Sequence, residues 1–186
     1  MSQKIFSNLS TILRNKKLTT LILFISIMII GIFWFAFTFI NNYHQENISS
    51  YLLSLPDRSK IKAKINQREY LLEVVNTPSS IVQGLSDRRE IGSDGMLFVM
   101  PDKKRQTFWM PRMNFDLDIL WLDEGTIAQI SRRVPAGSAG TPTWKLPLYT
   151  SQQPVNLVLE IPSGRADLMG IKVGDQLKLD LNFGKR

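Results

Sequence analysis

The chain has no cysteine and a single histidine, His44, and these two shortages close off much chemistry before any motif is sought. Without thiols there is no disulfide frame, no thiolate nucleophile, no cysteine zinc site and no iron–sulfur cluster. With one imidazole a serine triad lacks its usual base, and no Gly-x-Ser-x-Gly elbow occurs; only a Ser–Lys dyad stays open on composition. There is no Gly-x-x-x-x-Gly-Lys phosphate loop and no dinucleotide fingerprint. Neither a cofactor nor a metal is expected. The net charge of +7 and pI near 9.8 resemble those of a nucleic-acid binder. However, four of the basic groups (Lys4, Arg14, Lys16, Lys17) stand in the first 17 residues with no acid, leaving 19 basic and 16 acidic groups for the rest. So mixed a remainder is no polyanion clamp, and no nucleic-acid partner is expected.

What the chain does have is one long uncharged run. Leu18 to Ile40 is 23 residues, eighteen of them apolar and the others Thr, Ser or Gly. As a helix rising about 1.5 Å per residue it crosses a hydrocarbon layer of about 30 Å with some tilt. Lys16 and Lys17 abut its start and no Lys or Arg follows until Arg58, so the basic flank is expected in the cytoplasm and the bulk of the chain outside. Trp34 and Tyr43 suit the outer interface. A cleaved signal peptide has a shorter apolar core and ends in a small-x-small site, which Phe33 to Ile40 does not offer. The expected organisation is a cytoplasmic tail (1–17), a single-pass transmembrane anchor (18–40), a stalk (41–59) that reads as linker or as a frayed short helix around Tyr51 to Leu55, and an extracytoplasmic domain (60–186). His44, in the stalk, is given no catalytic role.

Beyond the stalk the signals are those of short strands. Lys60 to Ile65 alternates charged and apolar residues, Asn66-Gln67 turns the chain, and Val74-Val75 favours a second strand. Thr77-Pro78 is an N-cap and first-turn proline for a short helix over Ser79–Leu85. Gly95–Met100 is a continuous apolar run, Thr107–Met110 another strand, and Asp123-Glu124-Gly125 joins strands at Leu117–Leu122 and Ile127–Val134. Val155–Ile161 and Gln176–Leu181 complete the set, with a short helix near Ala166–Met169. The expected fold is mainly β, a small antiparallel sandwich or barrel with one or two short helices, preceded by the single transmembrane helix. Pro135 to Pro154 reads as a long irregular loop, with Trp144, Leu146, Leu148 and Tyr149 to bury.

Two places carry candidate chemistry. Asp116 and Asp118 lie two apart at the mouth of a strand. They project from one face if the strand reaches back to 116, and could then hold a hard cation or share a proton. Alternatively, Asp116 caps the loop and Asp118 accepts backbone amides. Around them Trp109, Met110, Arg112, Met113 and Trp121 bring aromatic, soft and charged groups together. Glu160 interrupts the apolar run Leu157–Ile161 and needs water, amide donors, or a cation such as Arg112, Arg132 or Arg133; an ion pair is expected.

Six ordered segments then carry a resemblance. Gly84–Arg88, Asp94–Val99, Phe108–Met110, Leu117–Ile119 with Asp123–Gly125, Leu159–Gly164 and Gly174-Asp175 resemble the motifs of the bacterial and archaeal domain of unknown function number 192, over about residues 60 to 183. The resemblance implies an exported or membrane-anchored protein with a small, mostly antiparallel β-fold, and it implies no particular reaction. Many members carry Lys-Asn-Thr after Phe-Trp-Met, where this chain has Pro111-Arg112-Met113. If that trio binds something, Arg112 takes its place here or binding differs.

The expected function is ligand or partner binding, to a cell-envelope polymer or protein, in a cleft between the Trp109–Asp118 segment and the 135–154 loop, with Trp109, Met110, Arg112, Asp116, Asp118, Glu160 and Trp144 as the ligand-binding residues. The alternative is a carboxylate-dependent envelope enzyme of glycan-hydrolase type, using Asp118 with Asp116 or Glu160 as acid and base.

Overall fold

A computed structural model of the chain describes residues 16–137 and 140–180, without the side chains of residues 16–17 and 40–47. The basic tail to residue 15, the side chains of Tyr43 and His44, and Leu181 onward lie outside the described residues.

Helix α1 (Lys16–Ser54) opens the described chain. Its residues 18–39 are long and apolar enough to cross a membrane, and their side chains are not buried against the protein. Residues 41–54, expected as a stalk or as a frayed short helix around Tyr51 to Leu55, continue the helix, because its last turns have an apolar surface to cover. Leu52 is fully buried, Ile48, Tyr51 and Leu55 pack beside it, and Asn76 Nδ2 donates to the carbonyls of Leu52 and Leu55.

The β-body follows. Strands β1 (Lys60–Ile65), β2 (Arg68–Val75), β3 (Gly95–Lys104), β5 (Leu117–Asp123), β6 (Thr126–Val134), β8 (Val155–Pro162) and β9 (Lys178–Leu179) form one sheet in the order β6-β5-β8-β3-β2-β1-β9. Both expected hairpin turns are built from residues with positive φ, Asn66-Gln67 (50°, 66°) and Glu124-Gly125 (50°, 84°), the backbone whose twist suits two-residue connections. The two edges of the sheet meet, as Ile127 N donates to Asp175 O and Leu177 N to Gly125 O. That closure gives the barrel-like form expected of the pattern.

One pair departs from the antiparallel expectation: β2 and β3 run parallel, joined by a crossover through helix α2 (Pro78–Gln83). That helix starts at the expected cap, with Thr77 Oγ1 accepting from Ser80 N. The long loop is less irregular than its prolines suggest. Leu146 packs where a side chain at Gly137 would stand, and β7 (Tyr149–Thr150) pairs with β4 (Thr107–Phe108). Helix α3 (Arg165–Leu168) lies close to its expected place.

Alternation along the central strands gives the sheet two apolar faces. Leu72, Leu97, Leu120, Leu159 and Ile161 share one core with Leu52 and Ala166. Met96, Phe98, Ile119, Trp121 and Val158 share the other with Leu85, Met110 and Met113.

Candidate functional site

The register of the central strands decides which carboxylates can meet. On β8, Glu160 is paired with Met96 of β3 and Ile119 of β5, whereas Asp118 is paired with Ile161. Glu160 therefore points to the Met96–Ile119 face and Asp118 to the opposite one. Asp118 is fully buried, with Oδ1 accepting from Arg133 N at 2.8 Å and Oδ2 from Ala166 N at 2.9 Å. It ties β6 and α3 to β5, and both its oxygens accept backbone amides. Asp116 precedes the strand, is exposed, and accepts from Ala136 N at 2.7 Å. An acid–base pair of Asp118 with either partner thus lacks the common solvent-accessible space that the chemistry needs. Of the two readings left open for these aspartates, hydrogen bonding to backbone amides is the one the geometry matches.

Glu160 is different. It is 5% exposed, and among the described residues no group forms a hydrogen bond or ion pair with its carboxyl. The arginines expected as partners are committed elsewhere: Arg112 Nε to Asp87, and Arg132 and Arg133 to Asp167. Burial alone pushes the Glu160 carboxyl up from 4.5 to about 8, so it is largely neutral at pH 7.

The carboxyl borders a cavity of about 200 Å³. Its walls come from α2 and the segment after it (Ile81–Ser86), from β3 (Phe98, Met100) and from the stretch Thr107–Met113. Phe98 and Phe108 meet edge to face at 5.0 Å, as do Phe108 and Trp121 at 5.5 Å, which fixes the inner wall. Val82 and Trp109 are lining residues with large exposed surface.

The wall formed by residues 81–91 is held at two points. Arg88 forks onto Glu73 of β2 with two contacts of 2.7 Å, and Arg58 adds a third at 2.9 Å. Arg88's hydrogen bonds, with Arg58's, keep the Glu73 carboxyl below its usual value despite burial. At the outer end Asp87 N donates to Arg112 O, and the Arg112 guanidinium returns to the Asp87 carboxylate. Arg112 thus fastens two cavity-bearing segments together.

Of the residues singled out in sequence, Trp109, Met110 and Glu160 come together at the cavity, and Met113 joins them. Arg112, Asp116 and Asp118 do not line it, and Trp144 stands on the surface, 83% exposed. Sequence reasoning missed Ile81–Ser86, Phe98 and Met100 as wall residues. They are helix, turn and strand residues with no local signal of a site, and only the crossover after β2 brings the first group over the sheet.

The family model DUF192, "Uncharacterized ACR", matches residues 60–179. No curated protein matches the chain. Among solved structures, the chain is similar to a protein of Sinorhizobium meliloti 1021 named as a candidate transcription regulator, at 28% identity and TM-score 0.57, over 68% of this chain and 98% of that one. It is also similar to a protein of unknown function from Novosphingobium aromaticivorans DSM 12444, at 25% identity and TM-score 0.55, over 64% of this chain and 84% of that one.

Proposed function

The chain belongs to the DUF192 family, and on that footing we propose that it is a membrane-tethered, extracytoplasmic binding domain whose ligand inserts an apolar group into the Glu160 cavity. One observation carries the binding reading: a buried acid whose carboxyl has no partner among the described residues lines a cavity walled by aromatic rings and thioethers. Leaving such a group unpaired is costly, and the cost recurs at sites that act on something else. Thioethers and aromatic rings adapt to varied apolar shapes. The tether reading rests on the exposed apolar helix of residues 18–39 and on the lysines at its near end.

The methionines supply the test. The chain, labelled with ¹³C at its methionine methyls and held in detergent, is titrated with small alcohols, ethers and amines of up to about ten heavy atoms, scaled from the ~150 Å³ cavity that takes up benzene. Met100, Met110 and Met113 are expected to shift together, while Met28 in the apolar helix and Met169 after α3 stay still. Uniform shifts, or none at the three, would overturn the binding reading. A phosphatase fused to the carboxyl terminus is expected to be active only if exported; activity of a cytosolic reporter there would overturn the tether's orientation.

A further inference from the structure

The charge of the cavity narrows what can enter it. Among the described residues that line the cavity, Glu160 is the only ionisable one. The other polar side chains there, Gln83, Ser86 and Thr107, are neutral. The cations nearest in sequence to the walls are engaged elsewhere: Arg88 pairs with Glu73, Arg112 pairs with Asp87, and Arg105 Nε donates to the carbonyl of Ser151. An anionic ligand would enter beside an acid with nothing to balance it. A cation with apolar substituents meets the opposite situation, because aromatic faces, thioether sulfurs and a carboxylate are all electron-rich.

Resting on the binding reading above, we infer that the inserted end of the ligand is an organic ammonium group whose alkyl substituents fill the Phe98–Phe108–Met110 wall and whose charge is neutralised by Glu160. Quaternary and tertiary ammonium groups fit best, since they require few hydrogen-bond donors or acceptors from a lining that offers few.

Binding of the cation and ionisation of Glu160 are then one linked event. The groups that face this carboxyl from the neighbouring strands are Met96 and Ile119, and the lining residues of segments 81–86 and 107–113 contribute no charge. Among the described residues no other titratable side chain lines the cavity. Below pH 8 a cation has to draw Glu160 into its charged form, so affinity rises about tenfold per pH unit and levels off above the carboxyl's own value of about 8.

The probe is choline, set against 3,3-dimethylbutanol, its neutral carbon isostere of nearly the same shape. Both are titrated into the methionine-labelled chain at pH 6.5 and pH 8.5. Choline is expected to bind more than tenfold tighter at pH 8.5 than at pH 6.5 and tighter than the isostere at pH 8.5, while the isostere hardly responds to pH. Glu160→Gln is expected to remove the pH response and bring choline down to the isostere's affinity. An isostere that binds as well as choline at pH 8.5 would overturn the ammonium assignment and leave the binding reading standing. Failure of both probes to move Met100, Met110 and Met113 would overturn the two together. A short-chain phosphatidylcholine below its micellar concentration separates the two sources of this chemistry: shifts with it as strong as with choline assign a lipid headgroup, and shifts with choline alone assign a free ammonium compound.

Discussion

Glu160→Gln is expected to stabilise the folded body by roughly 3 kcal/mol at pH 8.5 and to leave it nearly unchanged at pH 4. The carboxyl is 5% exposed and has no partner among the described residues, and burial raises it from 4.5 to about 8. In the unfolded chain the same group ionises near 4.5. Between these values the unfolded state binds fewer protons than the folded one, so stability declines as pH rises through that window. The full interval corresponds to at most ~5 kcal/mol, which relaxation and water entry reduce. Glutamine keeps the shape and carries no charge, so it escapes the decline. Urea denaturation of both proteins from pH 4 to pH 9 checks this. The two stability curves should part above pH 5, the variant lying higher, and parallel curves would contradict it. A substitution that strengthens the fold while removing its cation response identifies a position kept for binding and not for stability.

The second large effect is expected at Asp118, with the opposite sign. Asp118→Ala leaves the amides of Arg133 and Ala166 without their acceptor in a place closed to water. Each orphaned donor costs about 1–3 kcal/mol, so a loss of roughly 3–5 kcal/mol is expected from urea or thermal unfolding. Asp118→Asn keeps one acceptor oxygen and is expected to cost about half as much. Choline binding by the folded fraction should be unchanged in either variant, because Asp118 faces the other side of the sheet. A stable Asp118→Ala protein with altered ligand binding would return Asp118 to the site.

These two residues also mark where sequence reasoning stops. Local signals placed most elements: the charged–apolar alternation of Lys60–Ile65, the Thr77-Pro78 helix start and the Asp123–Gly125 turn each depend on near neighbours in the chain. Of the helical course of residues 41–54 only the end, around Tyr51, was legible; its continuity with the apolar helix escaped that reading, and what holds the last turns is Leu52 against a core assembled from distant strands. The parallel β2–β3 pair and the short β4–β7 ribbon are long-range pairings with no local signature. At the site, Glu160 was legible as an anomaly, an acid inside an apolar strand, but its lack of a partner depends on where Arg112, Arg132 and Arg133 go. Asp118 and Glu160 look alike in sequence. Only the register, which pairs Glu160 with Ile119 and Asp118 with Ile161, separates the acid that lines the cavity from the one that holds backbone amides on the opposite face.

The central claim, an uncommitted neutral acid facing an apolar cavity, is tested most directly by watching that acid titrate. With ¹³C at the glutamate side-chain carboxyl carbons and Glu160→Gln to assign the signal, the Glu160 resonance of the chain in detergent is expected to change with a midpoint of about 8. It should move to lower pH when choline is added. A midpoint near the ordinary glutamate value of 4.5, unmoved by choline, would contradict the account.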